Sequence, residues 1–171
     1  MSIPYLANLC RQIYDDDVLE EGFHHYYLHS ENIIVIAGTN SKKDWFKYNL
    51  DIFPLRPFHL GLGKVAQELY NYYRPYLNKD TIITGHSAGS IISIALAELA
   101  GCNSITFSGC LLKASNYRLT QKHLMISNKI DFMNLIVGDD PNLTRIYLPG
   151  IGHSISSIGL EKIGDDEFYF G

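Results

Sequence analysis

Residues 81–89 read TIITGHSAG, a short apolar run that ends in the pattern Gly-x-Ser-x-Gly. The run 81–84 predicts a buried β-strand, and the apolar stretch 90–100 predicts a helix that begins directly after the pattern. A sharp turn between such elements exposes the hydroxyl of its central serine, and the N–H groups at the helix start face the same point. Glycines on both sides relieve the crowding in the turn. The segment therefore predicts Ser87 as a nucleophile.

Apolar runs elsewhere in the chain predict the elements that surround this turn. Further strands are predicted at 24–29, 32–37, 104–107, 124–127 and 145–148, and further helices at 5–13 and 61–77. The first two of these strands are separated by only two residues, which predicts an antiparallel hairpin. The later strands are almost continuously apolar, which is typical of parallel strands buried on both faces. The fold class expected is a three-layer α/β sandwich with a mostly parallel central sheet, an antiparallel front hairpin and helices on both faces.

The turn and the layer order are typical of the α/β-hydrolases, whose catalytic residues follow the order Ser, then Asp or Glu, then His along the chain. Five of the seven histidines precede Ser87, namely His24, His25, His29, His59 and His86. His123 leaves little room for an acid before it. His153 follows the last predicted strand in a glycine-bearing loop, at the sheet edge where such a base would lie. We therefore expect His153 to be the general base.

The candidates for the acid are the four carboxylates between Ser87 and His153: Glu98, Asp131, Asp139 and Asp140. Glu98 lies about 16 Å from Ser87 along the predicted helix, which excludes it. Asp131 closely follows the strand 124–127 and should project at the same edge as His153. Asp139 and Asp140 precede a proline in a predicted turn, where aspartate commonly bonds its own backbone. Asp131 is thus the expected triad acid, with Asp139 and Asp140 as the alternatives.

Length and composition limit the partners. The chain has 171 residues, which fits a single domain over 1–171, and its net charge of −4 provides no basic surface for nucleic acid. Its three cysteines indicate free thiols in a reducing compartment. Neither a signal-peptide pattern nor an apolar run of about 18 residues is present, which predicts a cytoplasmic protein without a transmembrane segment. Release by lysis or by a dedicated exporter, and the oligomeric state, are left open.

No metal or cofactor is expected. His25 and His29 share one face of a predicted strand, but no third ligand accompanies them at a matching spacing. Residues 61–64, GLGK, lack the full phosphate-binding pattern of a P-loop.

Four features together resemble the class 3 lipases, a family within the α/β-hydrolases. They are Gly38-Thr39 followed by Asp44-Trp45, Phe58-His59-Leu60-Gly61, the GHSAG turn, and Ser127-Asn128-Lys129-Ile130-Asp131 followed by His153. The resemblance covers roughly residues 30–155. It implies two oxyanion donors, Thr39 through its backbone N–H and hydroxyl, and Ala88 through its backbone N–H.

The chain also departs from the family. Ala37 stands where the family has arginine, and Ser90 stands where it has a second glycine. The segment between Trp45 and His59 is too short for the mobile lid of many relatives, although residues 52–58 could form a short apolar rim. The short segment favours an open site that acts on soluble or short-chain esters.

The expected function is that of a lipase or esterase, a serine hydrolase that cleaves carboxylic esters through an acyl-enzyme. Its substrate would be a small-molecule or lipid ester, and peripheral contact with a lipid surface is compatible with this expectation. The alternatives are an acyltransferase or thioesterase with the same triad, and a non-catalytic binding or structural module that retains the fold.

Overall fold

One sheet of six strands dominates the described part of the computed structural model, which covers residues 2–15, 24–38, 60–109, 118–135 and 138–158. In chain order the strands are β1 (His25–Leu28), β2 (Ile33–Ile36), β3 (Ile82–His86), β4 (Asn103–Phe107), β5 (His123–Ile130) and β6 (Leu143–Ile151). They lie side by side in that order. β1 and β2 are antiparallel, and every other neighbouring pair is parallel. The predicted mostly parallel sheet with an antiparallel hairpin is confirmed.

The described residues also form three α-helices: α1 (Ile3–Asp15), α2 (Leu60–Tyr73) and α3 (Ala88–Ala100). Alternate residues of a strand point to opposite faces of a sheet. In β2, Ile33 and Val35 pack in one apolar core with α1, whereas Ile34 and Ile36 pack in a second core with α2 and α3. Helices therefore cover both faces of the sheet, as the apolar patterns predicted.

The helix predicted over 61–77 is shorter than expected, because α2 ends at Tyr73. Pro75 explains this end, since proline cannot donate an intrahelical hydrogen bond and disfavours helical backbone in the residue before it. No helix in the described residues is both long and apolar enough to cross a membrane.

The parallel register determines which loops meet. Because β3 to β6 run in the same direction, the turns that follow their carboxyl ends lie at one edge of the sheet. Ser87 follows β3, Asp131 follows β5, and His153 lies two residues beyond β6. A register shift between Asn128 and Ile130 lets the ends of β5 and β6 remain paired up to this edge.

Candidate active site

The turn at Ser87 has a backbone conformation that non-glycine residues rarely adopt, with φ 57° and ψ −125°. The two glycines of the pattern allow this turn to pack tightly. A Cβ atom on Gly85 would lie 2.6 Å from the Ser93 hydroxyl, and one on Gly89 would lie 2.5 Å from the Ala37 carbonyl oxygen. Side chains at these positions would therefore force β3, α3 and the end of β2 apart.

Backbone and side-chain hydrogen bonds hold the strained turn in place. The Ser87 N–H donates to the Phe107 carbonyl at 3.0 Å, which ties the turn to the end of β4. The buried Ser90 hydroxyl lies 2.9 Å from the Gly85 carbonyl oxygen and 2.7 Å from that of Phe107. Ser90, where the resembled family has glycine, thus links the first turn of α3 to the ends of β3 and β4.

The structure brings Ser87, His153 and Asp131 into one hydrogen-bonded line. Ser87 Oγ lies 2.8 Å from His153 Nε2, and His153 Nδ1 lies 3.0 Å from Asp131 Oδ1 and 3.2 Å from Oδ2. A carboxylate only accepts, so Nδ1 carries the proton and Nε2 accepts the hydrogen bond that the serine hydroxyl donates. The His153 side chain is 23% exposed, whereas that of Asp131 is 0% exposed. The line therefore runs from a buried carboxylate to a serine that is only partly buried.

Asp131 is held as a carboxylate although it is buried. Burial by itself raises the pKa of this group, but hydrogen bonds from His153 and from the Met133 N–H, at 2.9 Å, lower the pKa below its ordinary value. The residue directly after β5 thus provides a fixed negative charge at the back of the imidazole.

The loop that carries His153 is fixed by β5. Gly152 has φ 109°, a conformation that strongly favours glycine, and its N–H donates to the Ile130 carbonyl at 2.8 Å. The Asn128 amide donates to the Gly152 carbonyl at 3.0 Å and to the Ser157 hydroxyl at 2.9 Å. These bonds restrict the backbone on both sides of the imidazole.

Tyr14 and His86 extend the line of hydrogen bonds behind the site, and the sequence analysis did not identify either residue. His86 Nε2 lies 2.8 Å from the His153 carbonyl oxygen, and His86 Nδ1 lies 2.9 Å from Tyr14 Oη. The Gly38 N–H donates to the same Tyr14 oxygen at 2.7 Å. His86 was set aside because it precedes the nucleophile, although its place inside the Gly-x-Ser-x-Gly pattern could have indicated it. Tyr14 has no comparable sequence signal.

The alternative acids, Asp139 and Asp140, lie before the start of β6. Asp139 pairs with Arg145, and Asp140 accepts the backbone N–H groups of Leu119 at 3.0 Å and Asn142 at 2.9 Å. His153 follows the other end of β6, and this strand of 9 residues spans roughly 30 Å. The two carboxylates therefore lie at the edge of the sheet opposite His153.

The oxyanion donors and the resembled family segments are described only in part. Ala88 is the first residue of α3, where a helix leaves its N–H groups without intrahelical partners. Thr39 lies outside the described residues, as do Asp44, Trp45, His59 and the rim segment 52–58. Gly38, directly before Thr39, is described, and a Cβ atom built on it would lie 3.0 Å from Ser87 Cβ. The end of β2 thus passes close to the nucleophile.

A second Ser-His-acid arrangement lies at the opposite edge. Ser104 Oγ is 2.7 Å from His123 Nδ1, and His123 Nε2 is 2.8 Å from Glu98 Oε1. Burial raises the pKa of Glu98, but hydrogen bonds from His123, Gln121 and Thr120 outweigh it and lower the pKa to about 2. Ser104 and His123 are fully buried at the amino ends of β4 and β5. Because a substrate cannot reach Ser104, this cluster connects strands and is no candidate for catalysis.

An exposed aromatic side chain lies against His153. The Phe132 ring lies against the imidazole, with ring centroids 4.8 Å apart, and is itself largely exposed. Ile130 and Ile151, paired at the ends of β5 and β6, are also exposed. Three large apolar side chains are therefore exposed at or near the ends of β5 and β6, and one of them contacts the imidazole of His153.

The comparisons leave the family open. No protein-family model matches the chain, and no curated protein is significantly similar to it. The resemblance to class 3 lipases accordingly remains a proposal, supported by the residues quoted above.

Proposed function

We propose that this protein is a serine hydrolase of the α/β-hydrolase type that cleaves carboxylic esters. The observation that carries the proposal is the line from Ser87 Oγ through His153 to Asp131, with contacts of 2.8 and 3.0 Å, at a strained turn on the carboxyl edge of a parallel sheet. The partial exposure of His153 and the full burial of Asp131 support the roles of base and orienting acid.

The reaction would follow from the protonation states that the hydrogen bonds define. Ser87 Oγ attacks the ester carbonyl while His153 Nε2 takes the hydroxyl proton. Asp131 keeps Nδ1 protonated and stabilises the imidazolium that forms. The proton then passes from Nε2 to the leaving alcohol, and an acyl-enzyme remains. Water, activated by the same nitrogen, attacks the acyl carbon and releases the acid with Ser87 restored.

The oxyanion would be stabilised where α3 begins. The Ala88 N–H is the first of this helix, and the positive end of the helix dipole faces the reacting carbonyl. We propose Thr39 as the second donor, because Gly38 brings the end of β2 to the Ser87 side chain. One such donor lowers the barrier by about 3 kcal/mol.

The substrate class we propose is an ester with an apolar acyl or alcohol group. Phe132 is exposed against His153, and Ile130 and Ile151 are exposed at the ends of the strands that precede Asp131 and His153. An apolar group attached to the reacting carbonyl could cover Phe132. This surface also supports the proposed membership of the class 3 lipases, with substrates that range from soluble short-chain esters to lipid esters.

The test is hydrolysis of p-nitrophenyl esters from acetate to palmitate, together with labelling by a fluorophosphonate probe. We expect Ser87→Ala to abolish both activities while the far-UV spectrum and thermal midpoint stay close to those of the wild type. Ser104→Ala is the matched control, because Ser104 is also hydrogen-bonded to a histidine that contacts a carboxylate. It should retain labelling and turnover.

The outcomes distinguish the alternatives. Labelling without ester hydrolysis, and product formation only when an alcohol or thiol acceptor is added, would indicate an acyltransferase. Preference for acyl thioesters would indicate a thioesterase. Absence of labelling in the folded wild type would refute the hydrolase proposal and favour a binding module.

A further inference from the structure

Tyr14 and His86 connect three separate parts of the candidate site. Tyr14 lies near the end of α1, 72 residues from His86, which precedes the nucleophile at the end of β3. Their hydrogen bonds reach the Gly38 N–H at the end of β2 and the His153 carbonyl in the loop after β6. None of these contacts takes part in the proton transfers proposed above.

The direction of each hydrogen bond follows from its partners. The His153 carbonyl can only accept, so His86 Nε2 carries a proton and donates. Burial keeps the imidazole neutral and lowers its pKa to about 4, which leaves Nδ1 as an acceptor. The Tyr14 hydroxyl therefore donates to Nδ1 and accepts from Gly38. The chain runs in one direction, from Gly38 N–H to Tyr14, then to His86, then to the His153 carbonyl.

We propose that Tyr14 and His86 are positioning residues, which hold the His153 backbone at a fixed distance from Ser87. His86 and Ser87 are consecutive, so a bond from the His86 ring to the His153 carbonyl fixes the base relative to the nucleophile. The His86 and His153 rings also lie against each other, with centroids 5.3 Å apart. This proposal rests on the serine hydrolase function, because its consequence is the alignment of Nε2 with Oγ.

The chain contains a matched control for Tyr14. Tyr73 Oη lies 2.7 Å from His25 Nδ1, and the two rings are 5.5 Å apart at 83°. The ring centroids of Tyr14 and His86 are 5.7 Å apart and the ring planes meet at 82°, so the two pairs have closely similar geometry. Tyr73→Phe and Tyr14→Phe each remove one phenol hydroxyl from a histidine. Only the second hydroxyl is linked to the His153 backbone.

The first experiment compares these two variants on the best p-nitrophenyl ester. We expect Tyr14→Phe to lower kcat about tenfold, the equivalent of one hydrogen bond of about 1.4 kcal/mol, with KM within about twofold of the wild type. Tyr73→Phe should leave both constants unchanged. Equal kcat values in the two variants would overturn the proposal. They would show that the Tyr14 hydroxyl affects catalysis no more than the Tyr73 hydroxyl, which has no link to His153.

A second pair of variants tests the donor on His86 itself. Glutamine can place its amide N–H near the position of Nε2, whereas leucine cannot donate. We expect His86→Gln to lower kcat about tenfold, as Tyr14→Phe does, because it keeps the donor but leaves Tyr14 without its acceptor. His86→Leu, which removes both hydrogen bonds, should lower kcat about a hundredfold, with both variants folded by circular dichroism. Equal losses in the two variants would contradict a positioning role for the Nε2 hydrogen bond.

A spectroscopic readout separates this proposal from the proposed function. The proton between His153 Nδ1 and Asp131 should give a downfield NMR resonance that is absent in Asp131→Ala. We expect Tyr14→Phe to shift or broaden it and Tyr73→Phe to leave it in place. If the wild type is inactive and unlabelled, the hydrolase function is refuted. The positioning of His153 by Tyr14 is then tested by this resonance alone. An unchanged resonance in Tyr14→Phe would then overturn it.

Discussion

The pH dependence of stability offers a quantitative test of the buried imidazole at position 86. Folding lowers the pKa of His86 from 6.5 to about 4, mainly through burial, while the His153 carbonyl and the Asp131 charge partly oppose the shift and the His153 ring adds to it. A depressed histidine pKa means that the unfolded chain binds the proton more strongly. The contribution of the neutral imidazole to the free energy of unfolding is therefore fully present above pH 6.5 and is lost as the pH falls towards 4.

The magnitude follows from the two pKa values. One pKa unit corresponds to about 1.4 kcal/mol, and at pH 5 the unfolded imidazole is protonated while the folded one is still neutral. His86 should therefore remove about 2 kcal/mol from the free energy of unfolding between pH 7 and pH 5. This window stays above the ordinary pKa values of Asp131 and Glu98, which are 3.8 and 4.5, so their lowered values contribute little there.

The assay is urea unfolding at pH 5, 6 and 7 for the wild type and His86→Gln at constant ionic strength. The variant should be less stable at pH 7 by about 1 kcal/mol, because Tyr14 loses its acceptor. The two curves should cross near pH 6, and the variant should be the more stable by about 1 kcal/mol at pH 5, because only the wild type loses about 2 kcal/mol over this range. His29→Gln removes an exposed imidazole and should keep the wild-type pH dependence. Parallel curves for the wild type and His86→Gln would refute the burial of a neutral imidazole.

Four further substitutions test the site, its turn and a control position in α2. Asp131→Asn should lower kcat by roughly 10⁴ in the ester assay, since the amide favours the wrong tautomer of His153, and a loss below tenfold would contradict its orienting role. In urea unfolding, Ser87→Gly should have a free energy of unfolding about 1 kcal/mol higher than that of Ser87→Ala. Both variants lose the hydroxyl, and only glycine relieves the backbone strain at φ 57°. Gly89→Ala should cost about 3 kcal/mol or prevent folding, since its Cβ would lie 2.5 Å from the Ala37 oxygen. Gly63→Ala, with open space around its Cβ, should instead gain about 0.5–1 kcal/mol. Urea unfolding measures the stability of both glycine variants.

The strands and helices could be predicted because their signals are local. Continuous apolar runs marked the parallel strands, and the switch from β3 to α3 at Gly-x-Ser-x-Gly followed from the apolar residues on both sides of the turn. The position of Asp131 after β5 followed from the same reasoning, since consecutive parallel strands place their loops at one edge. Glu98 was excluded by its distance from Ser87 alone, and in the structure it bonds His123 at the opposite edge of the sheet.

Contacts between distant segments could not be predicted in this way. Tyr14 belongs to the apolar stripe of α1, and nothing in its spacing distinguishes a core tyrosine from one that contacts His86. Ser104, His123 and Glu98 show the converse problem, because they have suitable residue types but lie at the opposite edge, where Ser104 and His123 are buried. Residue type and order propose a site, whereas exposure and hydrogen-bond direction depend on tertiary packing.

Because Tyr14 lies on α1, local opening of this helix should disturb the hydrogen bonds that reach His153. Hydrogen bonds that hold the base depend on a helix that contacts the sheet through one face, with Ile3, Leu6, Cys10 and Ile13 buried against it. Local opening of a helix on one face of a sheet requires less free energy than opening of a central strand. Amide exchange in α1 and loss of turnover should therefore rise together on mild heating, before the amides of β3 and β4 begin to exchange. The candidate site would lose its alignment while the sheet is still folded.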